Sequence, residues 1–134
     1  MTATKNVLKL VEENLDYLVE LAEKCIEQTN AAGRRDLEES QLRNLQNLAA
    51  ATDSLAVIKN YIGYQMGREE LFPQFAQRLL TDLDQIKNKA ETLCREHQIT
   101  DPGQVAKARG EMTRYYFGFL TRKFVTVKKG GRQG

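Results

Sequence analysis

Phe72, Phe75, Leu79, Leu83, Ile86, Ala90 and Leu93 recur at intervals of three and four, a spacing that lines one side of an α-helix and no other regular element. About six turns of unbroken stripe commit this part of the chain to a long helix, and a helix apolar on one side must bury that side against others. The same spacing runs through the rest of the chain. Leu8, Val11, Leu15, Leu18, Ala22 and Cys25 predict a long first helix that starts at Thr4 and stops near Thr29-Asn30. Leu42, Leu45 and Leu48/Ala49 predict a second helix, and Leu55, Ile58 and Ile62 a third. Val105, Ala108, Met112, Tyr115, Tyr116 and Phe119 make the core side of a fifth. With only two prolines and few β-branched runs, the expected fold is all-α: one domain over 1–134, a bundle of about five helices of which the first, fourth and fifth are longest.

The punctuation agrees with the stripes. Thr100-Asp101-Pro102-Gly103-Gln104 is the clearest start in the chain, with Asp101 as N-cap and Pro102 at the first helical position. Pro73 is tolerable only in the first turn of the fourth helix. Asp36 with Glu39 resembles a capping box for the second helix, Thr52-Asp53-Ser54 separates the second from the third, and Gly67-Arg68 stops the third. Ala31 to Arg35 reads as a linker with two solvated arginines, and the basic tail 125–134 is expected to fray. Cys25 and Cys94 each fall on an apolar stripe, which predicts buried, reduced thiols rather than a disulfide or a metal pair. Glu12, Glu13 and Asp16 interrupt the amino-terminal apolar positions, so neither a signal peptide nor a membrane span is expected, and the reading is cytoplasmic.

Charge is unevenly placed. Residues 1–101 carry 12 Lys/Arg against 17 Asp/Glu, whereas residues 102–134 carry 8 against the single Glu111. A cationic pole of this kind serves either a polyanionic partner or solvation. On the fifth helix Lys107, Arg114, Gly118 and Arg122 fall on the side away from the core stripe. A glycine between two arginines lets a phosphate backbone come close, although the same pattern describes the solvated side of any amphipathic helix. Lys129 extends this basic face into the tail. Arg43, in the first turn of the second helix, and Arg68, at the end of the third, are isolated cations on a rigid scaffold. Gly63 and Gly67, four apart, leave room for a close backbone approach.

The inventory for catalysis is thin. His97, the sole histidine, stands near a helix end, where capping accounts for it, as it does for Ser40 and Ser54. Carboxylate pairs such as Asp82/Asp84 read as polar-face solubility, and no metal-ligand spacing, phosphate-binding glycine loop or nucleophile elbow is present. The expectation is a protein that is not an enzyme and needs no cofactor.

The run Glu39-Ser40-Gln41-Leu42-Arg43-Asn44, followed by Tyr64-x-x-Gly67-Arg68 and by the aromatic cluster Tyr115-Tyr116-Phe117-Gly118-Phe119 with its basic end, resembles the small helical subunit of type III CRISPR effector complexes, the Csm-type small subunit. The resemblance spans roughly residues 36 to 125; the long acidic first helix and the length of the fourth are departures from that family's pattern. It implies a non-catalytic subunit stacked in several copies beside the guide-binding backbone subunits and near the large subunit. Such a subunit holds target RNA against the guide RNA through backbone contacts while other subunits cut. Arg43 and Arg68 match the motif arginines, and Arg122 lies in the basic end of the matching last helix. Lys107, Arg114, Gly118 and Lys129 come from the charge reading alone. A protein that accepts any target needs cations and backbone donors rather than base-edge readers. Two other classes fit the same composition: a helical adaptor or oligomerisation module with a basic docking face, and a basic accessory bundle of another ribonucleoprotein.

Overall fold

The computed structural model describes residues 6–133, with side chains described as far as Gly130. It is all-helical: α1 (Val7–Glu12), α2 (Leu15–Thr29), a single 3-10 turn (Ala31–Gly33), α3 (Glu39–Ala51), α4 (Leu55–Gly67), α5 (Pro73–Glu96) and α6 (Pro102–Gln133). The bundle is organised around α6, which packs against α1, α2, α3 and α5, while α4 lies outside against α5 and touches α3 only lightly. No helix among the described residues is long and apolar enough to cross a membrane.

Six helices replace the expected five because the first one breaks. Val7, Val11, Leu18, Ala22 and Cys25 are buried along a continuous stripe, and the place in that stripe between Val11 and Leu18 belongs to Asn14. An asparagine facing a core satisfies itself on the nearest main chain. Its Nδ2 donates to the Leu10 carbonyl at 2.8 Å, its backbone leaves the helical region, and α2 starts afresh at Leu15. Leu8 and Leu15, placed on the stripe by sequence, are only half-buried. Asn6 caps α1 by accepting the Leu8 N–H at 2.8 Å; the cap expected at Thr4 lies outside the described residues.

Other starts and stops follow the sequence with shifts of a residue or two. Asp101 caps α6 by accepting the Gln104 N–H, Ser54 caps α4 through the Val57 N–H, and Pro73 opens α5. His97 ends α5 with its Nδ1 3.0 Å from the Leu93 carbonyl. The box opening α3 is Glu38 with Gln41, which accepts the Glu38 N–H at 2.6 Å, rather than Asp36 with Glu39. Asp36 is instead gripped by both arms of Arg34, at 3.0 and 3.1 Å. α2 ends on Asn30 in the left-handed region, a conformation asparagine tolerates. Cys25 and Cys94 are both buried and free, as expected.

α6 differs from the sequence reading in its extent and its facing. The helix continues to Gln133, and Lys128 Nζ donates to the carbonyls of Leu37 at 2.7 Å and Arg34 at 3.2 Å. The core side is also rotated. Met112, Tyr116, Phe117, Leu120 and Phe124 are fully buried, whereas Tyr115 and Phe119 sit half-exposed at the rim. A helix enclosed by four others buries most of its circumference, so a single stripe cannot describe it.

Asp82 is the largest departure from the sequence reading. Far from a solubilising surface group, it is fully buried, because its place in α5 lies between Leu79 and Ile86 on the apolar stripe. It accepts from Tyr116 Oη of α6 at 2.6 Å and from Arg78 Nε at 2.9 Å, and Arg78 reaches on to Gln28 of α2. Burial pushes the Asp82 carboxyl above the usual carboxylate range despite these donors. Burial, followed by the nearby Asp82 charge, pushes the Cys25 thiol up to about 12. Removing one partner from such a group strands the others in the core. Asp82→Ala is therefore expected to cost about 3–5 kcal/mol by chemical denaturation. Asp82→Asn keeps an acceptor for Tyr116 and tests the pKa. With the folded value raised, the native state holds the extra proton between about pH 4, where the unfolded carboxyl titrates, and its folded pKa. The stability of the natural chain relative to Asp82→Asn should then be greatest below about pH 4 and fall as pH rises through the folded value. A difference that grows with pH would show the Arg78 charge, not burial, to be in control.

Candidate nucleic-acid interface

α3 and α6 lie side by side and run in opposite directions, as the pairing of residues along them shows. Arg114 of α6 reaches the C-terminal end of α3, where its Nη1 donates to the Ala49 carbonyl at 3.1 Å and to Asp53 at 3.0 Å. Its Nε and Nη2 are held by Glu111 at 3.0 and 2.5 Å. Burial acts to lower the Arg114 pKa, but the bonds to Glu111 and Asp53 outweigh it and hold the group above its ordinary value. One turn further along α6, Gly118 faces Gln46, whose Nε2 would lie 3.9 Å from an added Cβ. Beyond that, Val125 and Lys129 of α6 share a cavity with Glu38 and Glu39 at the start of α3.

Along this seam the helical repeat places Lys107, Glu111, Arg114, Arg122, Val125 and Lys129 within about 40° of Gly118 around α6. Arg43, three residues before Gln46, comes level with Arg122, four after Gly118. Beside Arg122 is a shallow cavity of about 290 Å³ lined by Gln46, Tyr115, Gly118, Phe119 and Arg122 among others, with Arg43 outside its lining. The Tyr115 and Phe119 rings are stacked with centroids 6.0 Å apart, and the Arg122 guanidinium stands 5.9 Å from the Phe119 ring. Arg43 is exposed and, among the described residues, pairs with Glu39, one turn back on its own helix, at 2.5 Å. Toward the start of α3 lies a separate cavity of about 870 Å³, where Arg34, Arg35, Lys128 and Lys129 gather beside Glu38 and Glu39. Such a surface offers cations, an open backbone at Gly118 and two half-exposed aromatic rings, which suits a phosphate chain without reading base edges.

The seven residues singled out from sequence are thus divided. Gly118 and Arg122 line the smaller seam cavity, Lys129 lines the larger one at the start of α3, and Arg43 is exposed on α3 outside both linings. Arg114 is on the seam too, but its guanidinium is committed to holding α3 on α6. Lys107 is exposed on the same side of α6 but stands beyond the end of α3. Arg68 is separate: it lies on the opposite flank of α3, 5.4 Å from the Tyr64 ring, beside a small cavity of about 180 Å³ lined in part by Gln41, Asn44 and Tyr61. Nothing among the described residues approaches within 4 Å of a Cβ placed on Gly63 or Gly67.

The close approach expected at those glycines occurs instead at Gly110, where an added Cβ would lie 2.7 Å from the Asp53 carboxyl carbon. Sequence reasoning also misses Arg35 and the stacked pair Tyr115/Phe119 as parts of this surface, the pair because its spacing puts it in the core. The i, i+4 spacing of two aromatics beside a glycine is the signal that points to them. No family model matches this chain, and no curated protein or solved structure shows significant similarity to it.

Because Arg114 and Gly110 hold the seam together while Arg43 and Arg122 are presented by it, substitutions should sort into two groups in urea unfolding. Arg114→Ala and Gly110→Ala are each expected to lose about 1–3 kcal/mol, the first by freeing a carbonyl and two carboxylates, the second by crowding Asp53. Arg43→Ala and Arg122→Ala should stay within about 0.5 kcal/mol of the natural chain. Equal losses across all four would contradict this division.

Proposed function

We propose that this chain is a non-catalytic small subunit of a type III CRISPR ribonucleoprotein effector, and that the α3–α6 seam is the surface that holds target RNA. The observation that carries the proposal is the convergence of Gln46 of α3 with Gly118, Arg122 and the stacked Tyr115/Phe119 of α6 around one cavity, three residues along α3 from the exposed Arg43 of the motif-bearing start. The seam's cations are fixed by helices rather than loops, so they repeat at constant positions in every copy. A filament of such copies beside the guide-binding subunits would offer the RNA backbone a regular series of cationic sites, indifferent to sequence.

Protein contacts in that assembly fall to other surfaces. On α4, Val57 and Tyr64 are 48% and 57% exposed, with Gly63 and Gly67 open beside them. This outward face suits neighbouring subunits, and it is also the observation that favours the adaptor reading, in which protein docking would be the whole function.

Salt dependence in the reconstituted effector separates the two. For single-stranded RNA, removing one phosphate-neutralising cation should lower the slope of log affinity against log salt by about 0.7. Arg43→Ala and Arg122→Ala should each do so, equally for unrelated target sequences. Gly118→Glu fits the fold, since its added Cβ meets nothing closer than ordinary contact, and should weaken RNA capture further by placing a carboxylate in the seam. If all three variants assemble and capture RNA with unchanged affinity and slope, the seam is solvated surface and the adaptor reading stands.

A further inference from the structure

A second basic cavity lies away from the seam. It occupies about 550 Å³ where the start of α4, the middle of α5 and the beginning of α6 converge, and one cation from each helix lines it: Lys59, Lys87 and Arg109. Arg109 is about half a turn around α6 from Gly118, so its side chain leaves α6 on the side away from the seam, although Asp53, which Arg114 holds, lies at the edge of both. The Arg109 guanidinium is half-buried, and its Nε, shielded from solvent, has no hydrogen-bond partner among the described residues. An unpartnered Nε is uncommon in a folded protein, and the rest of the side chain lines the cavity without an ion pair among the described residues.

The carboxylates nearby do not supply an acceptor. Asp53 lines the cavity but is engaged by Arg114. Asp84 pairs with Lys59, yet Asp84 is 61% exposed, and an exposed pair of this kind is weak enough for a stronger anion to displace. Lys87 is exposed and makes no ion pair among the described residues. Ser54 and the first turn of α4 also face the cavity, adding the positive end of a helix to the three side chains.

We propose that this cavity binds a compact phosphate monoester, with Arg109 and Lys87 as its principal ligands and Lys59 released from Asp84 to join them. Arginine supplies paired donors to two phosphate oxygens, while the lysines act as point charges. Leu55, Ala56 and Ala106 give the remaining wall an apolar surface, against which the esterified group rests. The free source of this chemistry is inorganic phosphate and the esterified source is a nucleoside monophosphate. The site is independent of the RNA-holding role, so either can fail alone.

The test is thermal unfolding of the full chain, with calorimetric titration, in inorganic phosphate, in a nucleoside monophosphate and in the parent nucleoside, each against sodium chloride at equal ionic strength. Both phosphates should raise Tm with concentration and the nucleoside should not. Tighter binding of the monophosphate would assign the esterified source, and equal binding the free ion. Arg109→Leu should weaken phosphate binding at least about tenfold, as loss of a charged, paired donor does, while leaving the Tm of the unliganded chain equal or higher, since an unpartnered donor is gone. Lys87→Ala, at an exposed position, should weaken binding without altering the unliganded Tm, and Lys24→Ala, which removes the same charge from α2, should not weaken it. Absence of a phosphate-specific shift, an equal shift with the nucleoside, or full binding by both Arg109→Leu and Lys87→Ala would overturn the proposal.

Discussion

The hydrogen bond from Tyr116 to Asp82 fixes what hydrophobic burial leaves open. α6 meets four other helices through an apolar surface that covers most of its circumference, and apolar contact is non-directional. A cylinder in such a sleeve can slide or turn by a residue at little cost. Tyr116 Oη, donating to the buried carboxylate at 2.6 Å, ties α6 to α5 at one register, and Arg78 carries the tie to α2 through Gln28. Two further polar ties act on α6 at other heights: Arg114 on the Ala49 carbonyl of α3 and Lys128 on the Leu37 carbonyl ahead of it. Each would cost stability if half-broken, which is how polar groups select one packing among several of similar apolar burial.

These ties decide what the seam can do. Because Arg114 is spent on joining α3 to α6, the neighbouring Arg122 and Arg43 are held at set positions while their own side chains remain exposed. Gly118 leaves the α6 backbone open beside Gln46. Thr113 and Thr121, buried on the inner side of α6, return their hydroxyls to the Arg109 and Phe117 carbonyls, so the inner surface needs no further polar partner. Recognition is left to the outer one.

The helices themselves are legible in the sequence because three-and-four periodicity is a local property of the chain. Five of the six, with the caps at Ser54 and Asp101 and the proline opening α5, follow from it. What escapes such a reading is set by tertiary position. Asn14 looks like a tolerable helix residue until its place in the stripe is counted, and Asp82 looks like surface although Leu79 and Ile86 place it squarely on the buried side. The rim position of Tyr115 and Phe119 cannot be read from one stripe on a helix enclosed by four others. Of the site, sequence names the seam's residues Arg43, Gly118 and Arg122, but it cannot show that Arg68 lies on the other flank of α3. Nor can it show that Arg114 is committed inside the fold, since both depend on which helix neighbours which.

The same dependence governs the basic pole. Counted along the chain, the last 33 residues carry 8 cations and one acid, a surplus that reads as one undivided patch. The fold separates it. Arg114 serves Ala49 and Asp53, Lys123 pairs with Glu27 at 3.1 Å, and Lys128 serves main-chain carbonyls, so these charges are satisfied internally. Lys107, Arg122 and Lys129 are exposed, where water solvates an unpaired cation at little cost and a polyanion is welcome but not required. Arg109 belongs to neither group. It is half-buried, and its Nε is shielded from water without a hydrogen-bond partner among the described residues, a condition that stability alone does not explain. Among the described cations of α6 it is therefore the one with a shielded donor that no protein group satisfies.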